Sequence, residues 1–425
     1  MVGPLLVLLL GAVFASVQGD AAGNAFQNVY EQLVHVDTTR GPQTPTPTPF
    51  PVTPTSCQSC TPTAVPVPSP RGEGQCACSF NKLWLDIVVL MDRSKAMGSE
   101  VRAAAAGLNT LFKGINLDSK ANQSSRIAFL TYSRDVTTVG DFGRYSSVGQ
   151  LFRDMLSVKP DAKEVTVDLA NALLEAQRIF AKNIDRPNVQ RAVIVVAAEY
   201  KFGGASDPKK VSSELRESGI SIITLAHRSA TGGQLAKSLA LIASENMNFE
   251  NKEANVTRKM AKALCYVNCF CKPNWLAYKA PFKSGASYGE CLYHIEGQAD
   301  RPSAQEVCPL IATNGHLVHI KTTTKHERLL SIVKGTGDRF HIGWKREGAG
   351  QLWKWDGEQA QQQQPLPTGL WKESAAGNCG VGIESSGVLS YENRDCEKGE
   401  YGYVCQAPIC DTDNYCSAEE VAVFL

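Results

Sequence analysis

The stretch LWLDIVVLMDRSKAMG, residues 83–98, is a run of apolar and β-branched side chains that stops at Asp92 and a short polar loop. Such a run, without polar alternation, forms a strand covered on both faces. Three more follow: RIAFLTYS (126–133), AVIVVAA (192–198) and ISIITLAH (220–227). Segments of helical periodicity alternate with them: EVRAAAAGLNTLFKGI (100–115), VDLANALLEAQRIFA (167–181), KKVSSELRES (209–218), GQLAKSLALIAS (233–244) and ANVTRKMAKAL (254–264). Buried strands alternating with helices imply right-handed crossovers, so residues 80–264 are predicted to form an α/β doubly wound parallel sheet. A sheet of this type binds ligands at the carboxyl ends of its strands. The loop after Asp92 leaves the first strand at that edge.

With its Asp-x-Ser spacing, MDRSKAMG resembles the von Willebrand factor type A family, whose first strand ends in Asp-x-Ser-x-Ser ahead of a helix. The resemblance covers residues 80–264 and implies a Mg²⁺ held by an Asp, two Ser, a Thr from a second loop and an Asp after a later strand. Asp92 and Ser94 match the first two places, and Thr166 falls near the Thr place. Ala96 replaces the second Ser, and Ala198 stands where the later Asp belongs. Glu199 lies one position along, where a strand end turns it elsewhere. Arg93 and Lys95 add positive charge beside a site meant for a dication. A Mg²⁺ ion requires a strict oxygen set, so the expectation is a degenerate site at Asp92, Ser94 and Thr166 that caps the first helix.

The chain has 425 residues, room for two ordinary domains and linkers. Its net charge of +1 gives no global field toward nucleic acid or a membrane surface. Residues 1–19, MVGPLLVLLLGAVFASVQG, have the anatomy of a secretory signal, without a basic residue at the start. That apolar core is too short to span a bilayer comfortably, and no later segment has eighteen consecutive apolar residues. The mature chain is therefore expected to be secreted and extracellular, with no transmembrane anchor. Residues 20–79 form an N-terminal linker in which 41–70 contain ten Pro and seven Thr. That tract is predicted to be extended, stiff and O-glycosylated. Sequons at Asn122 and Asn255 are candidate N-glycosylation sites.

The 14 cysteines are absent from residues 79–264 and cluster on either side, which argues for disulfides in an exported chain. Cys76 and Cys78 precede the first domain and Cys265 and Cys269 follow it. Chain ends of such a domain lie close together, so these four are predicted to clamp it, one partner from each side. Closing so long a loop stabilises by about 3–5 kcal/mol in the chain-entropy model.

Past residue 265 the strand–helix rhythm stops, and Cys, Trp and Gly become frequent. In order come Cys271-Lys-Pro-Asn-Trp275 through Cys291-Leu-Tyr293, NGHLVHI (314–320), HIGW (341–344), LWKWDG (352–357), Asn378-Cys379, Cys396 and YVC (403–405). This series resembles the C-type lectin-like family over residues 265–410, an α+β disulfide-bonded fold, with 411–425 as a C-terminal tail. The resemblance implies bridges Cys271–Cys291, Cys308–Cys405 and Cys379–Cys396. Cys410 and Cys416 pair either with each other or with Cys57 and Cys60. His316 and His319 in HLVH are expected to be structural, since zinc needs further ligands that the sequence does not offer. Trp344, Trp353 and Trp355 are expected in the core, and Trp371 at the surface.

Sugar binding in that family runs through a Ca²⁺ held by Glu-Pro-Asn or Gln-Pro-Asp and then Trp-Asn-Asp. The first place reads Gln364-Pro365-Leu366, and the second Tyr391-Glu392-Asn393. Gln364, Glu392 and Asn393 are thus candidate ligands of a degenerate Ca²⁺ and sugar loop. Neither Ca²⁺ nor Mg²⁺ is expected as a standard cofactor. The pairing of both domains behind a Thr/Pro linker resembles nematode C-type lectin-like proteins. It implies a secreted recognition or adhesion protein that binds glycans, microbial surfaces or cell-surface proteins in innate defence, not nucleic acid. The alternative is a structural matrix or mucus-layer component. An enzyme is not expected, because no activated nucleophile, phosphate loop or closed zinc set is present.

Overall fold

The structure is a computed structural model that describes residues 76–422, except 118–120, 122, 162, 228–233, 281–285, 336–338, 349, 358–368 and 374–376. Residues 1–19, expected to be a secretory signal, the Thr/Pro tract, Cys57, Cys60, Asn122 and Gln364 lie outside the described residues.

The first domain is built on β1 (Leu85–Asp92), β2 (Arg126–Tyr132), β3 (Val136–Gly140), β4 (Gln190–Ala197), β5 (Ser221–Ala226) and β6 (Asn248–Glu250), in sheet order β3-β2-β1-β4-β5-β6. All pairs are parallel except β2–β3. Every residue of β1 is buried, because helices cover both faces. Leu85, Ile87, Val89 and Met91 point toward α1 (Glu100–Phe112), α2 (Val148–Ser157) and α6 (Val256–Val267). Val88 and Leu90 point the other way, toward α3 (Leu169–Lys182), α4 (Lys209–Glu217) and α5 (Gln234–Leu239). In α1 the buried set Val101, Ala104, Ala105, Leu108, Leu111 and Phe112 follows helical spacing along an alanine-rich run. The strand order reverses between β1 and β4, so the connections leaving their carboxyl ends diverge and open a crevice there.

The second domain packs β7 (Leu276–Ala280), β8 (Ala286–Ala299), β9 (His316–Leu317), β10 (Arg339–Lys345), β11 (Lys354–Trp355), β12 (Trp371–Lys372), β13 (Cys379–Ser385), β14 (Val388–Arg394) and β15 (Tyr401–Pro408) with α7 (Arg301–Ile311) and α8 (Thr323–Val333). Its core gathers Leu292, Val318, Ile320, Leu329, Phe340, Ile342, Trp344, Trp355 and Tyr391. Gly343 in HIGW is needed for close approach: a Cβ there would lie 2.8 Å from the Leu317 carbonyl oxygen and 2.8 Å from the His319 ring.

Six disulfides join the cysteines from Cys76 onward: Cys76–Cys269, Cys78–Cys265, Cys271–Cys291, Cys308–Cys405, Cys379–Cys396 and Cys410–Cys416. The last resolves what the sequence left open. It shapes a C-terminal segment, ending in α9 (Ala418–Ala422), that bonds to both domains. Toward the first domain, Asp411 accepts the Ala77 N–H at 2.8 Å, and Asn188 Nδ2 donates to the Cys416 carbonyl at 2.8 Å. Toward the second, Phe270 and Cys410 exchange backbone hydrogen bonds, and Thr313 Oγ1 donates to Glu420 at 2.5 Å. Fully buried Trp84 packs edge-on against Tyr415 and Phe270 at centroid distances of 5.1 and 6.4 Å.

Burial holds the pKa of His227, His316, His319, His326 and His341 below the ordinary imidazole value. Such rings take up protons more readily in the unfolded chain. The stability they contribute is complete above about pH 6.5 and is lost as pH falls toward their folded values. Urea midpoints measured from pH 7 to pH 5 are therefore expected to fall, and replacing His319 by Gln should flatten that slope.

Candidate functional site

Asp92 is the last residue of β1, at the crevice, and is fully buried. Its Oδ1 accepts the Ser94 N–H at 2.8 Å, and its Oδ2 accepts the Ala198 N–H at 2.9 Å. One carboxylate thus ties the loop after β1 to the end of β4. Burial raises the Asp92 pKa, against the opposing pull of these N–H donors. The exposed Glu199 carboxyl is also raised, by partial desolvation and by the Asp92 charge. The Ser94 hydroxyl is buried beside Asp92 and, like the N–H donors, works against the effect of burial on that carboxyl.

Backbone contacts fasten the second loop to the first. Lys95 N–H donates to the Glu164 carbonyl at 3.0 Å, and Asp161 N–H to the Arg93 carbonyl at 2.6 Å. The Arg93 guanidinium lies 3.8 Å from the Asp161 carboxylate, so its charge has a partner on the second loop. Thr166 donates its N–H to Glu164 Oε1 at 2.7 Å, and with the hydroxyl contact this holds Glu164 below the usual carboxylate range. Asp92 and Ser94 are therefore brought together, while the hydrogen bonds of Thr166 run to Glu164. Asp161 and Glu164, which pin the loops, escaped sequence reasoning because neither occupies a ligand place. Lys95 and Ala96 are exposed.

In the second domain, Glu392 and Asn393 sit on β14 and alternate in burial along it. Asn393 is fully buried and its Nδ2 donates to the Gly377 carbonyl at 2.7 Å. Glu392 accepts from Arg394 Nε at 2.6 Å, and Arg339 Nε lies 3.8 Å away. Beside this strand runs an aromatic series. Trp344 stacks on Trp353 at 6.0 Å, and Trp353 meets the Trp371 edge at 4.9 Å. Arg346 lies over the Trp353 ring at 4.9 Å. Trp344 and Trp355 are buried, whereas Trp353 and Trp371 are both half-buried.

Family models match twice: the von Willebrand factor type A domain over residues 86–263 and the lectin C-type domain over residues 300–407. The chain joins an A domain to a C-type lectin domain. It is 27% identical over 363 residues to C-type lectin domain-containing protein 160 of Caenorhabditis elegans, covering 80% of this chain and 56% of that protein. The chain thus spans little more than half of that relative's length. Among solved structures it is similar to proximal thread matrix protein 1 of the mussel byssus, at 17% identity, with 45% of this chain and 47% of that chain covered and a TM-score of 0.36. It is also similar to ovocleidin-17 of the Gallus gallus eggshell, at 20% identity, 32% and 99% coverage and a TM-score of 0.26. Both matched families are typically non-catalytic. Among the described residues no helix is long and apolar enough to cross a membrane.

The A domain's residues do not fit the family's Mg²⁺. Ala96 and Ala198 offer no side-chain oxygen, which leaves two places of the strict oxygen set without a ligand, and each Asp92 oxygen has one lone pair already on a backbone N–H. Nor do Glu392 and Asn393 of the lectin domain fit its Ca²⁺, since the first is paired with arginine and the second is buried on a carbonyl. Among the described residues no group of three or more His, Cys, Asp or Glu is arranged to hold a metal. Replacing Asp92 by Ala leaves two backbone donors at the β1–β4 junction without their acceptor. It is expected to cost about 1–3 kcal/mol. Urea denaturation should show the same loss in Mg²⁺ and in EDTA.

Proposed function

We propose that the protein is an extracellular, non-catalytic recognition and adhesion protein that binds glycans or other surface molecules without a coordinated cation. One observation carries this reading: the side chains left in both ion loops are committed to protein partners, Asp92 to backbone N–H groups and Glu392 to arginines. Contact then falls to ordinary polar and aromatic chemistry. In the lectin domain, half-buried Trp353 and Trp371 with Arg346 offer ring faces and donors suited to sugar. In the A domain, Phe202 follows β4 beside the crevice and is 55% exposed.

The fourteen cysteines and the signal-like start support export, and Asn255, exposed at the head of α6, supports N-glycosylation. Recognition of microbial surfaces in innate defence is the proposed setting. A disulfide-linked matrix component is less well supported, because the cysteines from Cys76 onward are paired and only Cys57 and Cys60 remain for links between chains. The test is a glycan array probed with the purified mature chain in Ca²⁺ and in EDTA. The same glycans are expected to be bound in both buffers. Binding that EDTA strips and Ca²⁺ restores would contradict the cation-free reading, and no binding to any glycan would overturn the choice of ligand.

A further inference from the structure

A groove of about 730 Å³ opens on the A domain between the clamp disulfides, the end of α1 and the length of α6. Its cations are Lys113, just past α1, and Arg258 and Lys262 on α6, and its lining contains no Asp or Glu. All three are exposed, and among the described residues none is joined to a carboxylate. Their neighbour Lys259 differs, pairing with Glu253 at 2.6 Å. Arg258 and Lys262 are four residues apart and so share one face of α6. Phe80 and Tyr266 line the same groove, with Lys262 Nζ 5.5 Å over the Tyr266 ring.

A concave, low-dielectric wall with uncompensated charge of one sign focuses its field outward and concentrates ions of opposite sign. The cations come from two elements and extend along more than one helical turn. A ligand that meets them all must carry several anionic groups spaced along its length. Aromatic faces among the cations suit sugar rings, and the concavity suits a single strand better than a flat lipid surface. We infer that this groove binds an acidic polysaccharide through its sulfate or carboxylate groups. The groove lies apart from both ion loops and from the lectin tryptophans. Array binding that survives its removal therefore belongs to the lectin domain, and the two readings can fail separately.

Asn255 also lines the groove, so the test uses the full mature chain after enzymatic removal of N-linked glycans, on immobilised heparin, on desulfated heparin that keeps its carboxylates, and on neutral dextran. The wild type is expected to bind the acidic polymers and not dextran, with affinity falling between about 50 and 200 mM salt. Weaker binding after desulfation assigns the contact to sulfate, and equal binding assigns it to carboxylate. The triple variant Lys113→Gln, Arg258→Gln, Lys262→Gln is expected to bind roughly tenfold or more weakly, with a shallower salt slope and an unchanged melting temperature. A control that removes the same charge from exposed positions elsewhere, Lys201→Gln, Lys210→Gln, Lys237→Gln, is expected to bind as the wild type does. The inference is overturned if the wild type ignores both acidic polymers, or if the two triple variants weaken equally. It is also overturned if the wild type prefers single-stranded DNA or anionic vesicles over the polysaccharides.

Discussion

Replacing Trp84 by alanine is expected to destabilise the protein by about 3–5 kcal/mol and to release the C-terminal segment from both domains. The indole is fully buried just before β1, where it fills the space between Phe270, Tyr415 and the Cys410–Cys416 loop. Its backbone N–H donates to Asn268 at 2.8 Å, so the ring is held at the exit of α6. Truncation leaves a cavity where the A domain, the start of the lectin domain and the C-terminal segment meet. Relaxation there is opposed by the hydrogen bonds of Asp411, Thr412 and Asn188, which fix the surrounding backbone. Urea denaturation measures the loss, and limited proteolysis should find new cleavage within residues 410–422. Trp84→Phe is expected to lose less than half as much. It keeps most of the apolar volume and removes an indole N–H that has no partner among the described residues. An alanine variant with wild-type stability would mean that the joint is not held by this ring.

The second large effect is expected at Asp356, in the LWKWDG stretch. Arg301 donates through Nη2 to both Asp356 oxygens at 2.9 and 2.7 Å, and each side chain is 4% exposed. Lys345 Nζ adds a contact at 3.4 Å from the partly exposed side. Asp356→Ala leaves the guanidinium buried without its counter-charge and is expected to cost about 3–5 kcal/mol. The double variant Arg301→Met, Asp356→Leu exchanges the pair for apolar side chains and is expected to lose less than the single variant, because the charge left without its partner, Lys345, is partly exposed to water whereas Arg301 is not. Urea midpoints of the wild type, Asp356→Ala and the double variant decide this. A double variant less stable than Asp356→Ala would show that the pair contributes more than its own compensation.

How much of this was legible in the sequence follows from how locally each feature is encoded. β1, β2, β4 and β5 carry long apolar runs because helices bury both of their faces, so the sheet could be read directly. β3 escaped notice because it is an antiparallel edge strand, VTTVG, whose middle residues face solvent. α2 was missed because only Leu151 and Met155 are buried, too few to mark a face. The cysteines announced a clamp, but which partner each would take depends on the path of the chain from α6 into the second domain. The C-terminal segment, DTDNYC, has almost no apolar signal, and its contacts reach Ala77 and Ser79 across more than three hundred residues of chain. Ala96 and Ala198 told which ion ligands are missing. That Asp92 spends both oxygens on backbone donors became visible only when β1 and β4 were set side by side. The basic groove was hidden for another reason: a net charge of +1 averages over positions that the fold gathers onto one face.

Calorimetric titration of the full mature chain with Mg²⁺ and with Ca²⁺, after treatment with EDTA, tests the cation-free reading most directly. No saturable heat is expected from either ion. Heat that saturates near one ion per chain, and that disappears in Asp92→Ala or in Glu392→Gln, would contradict it.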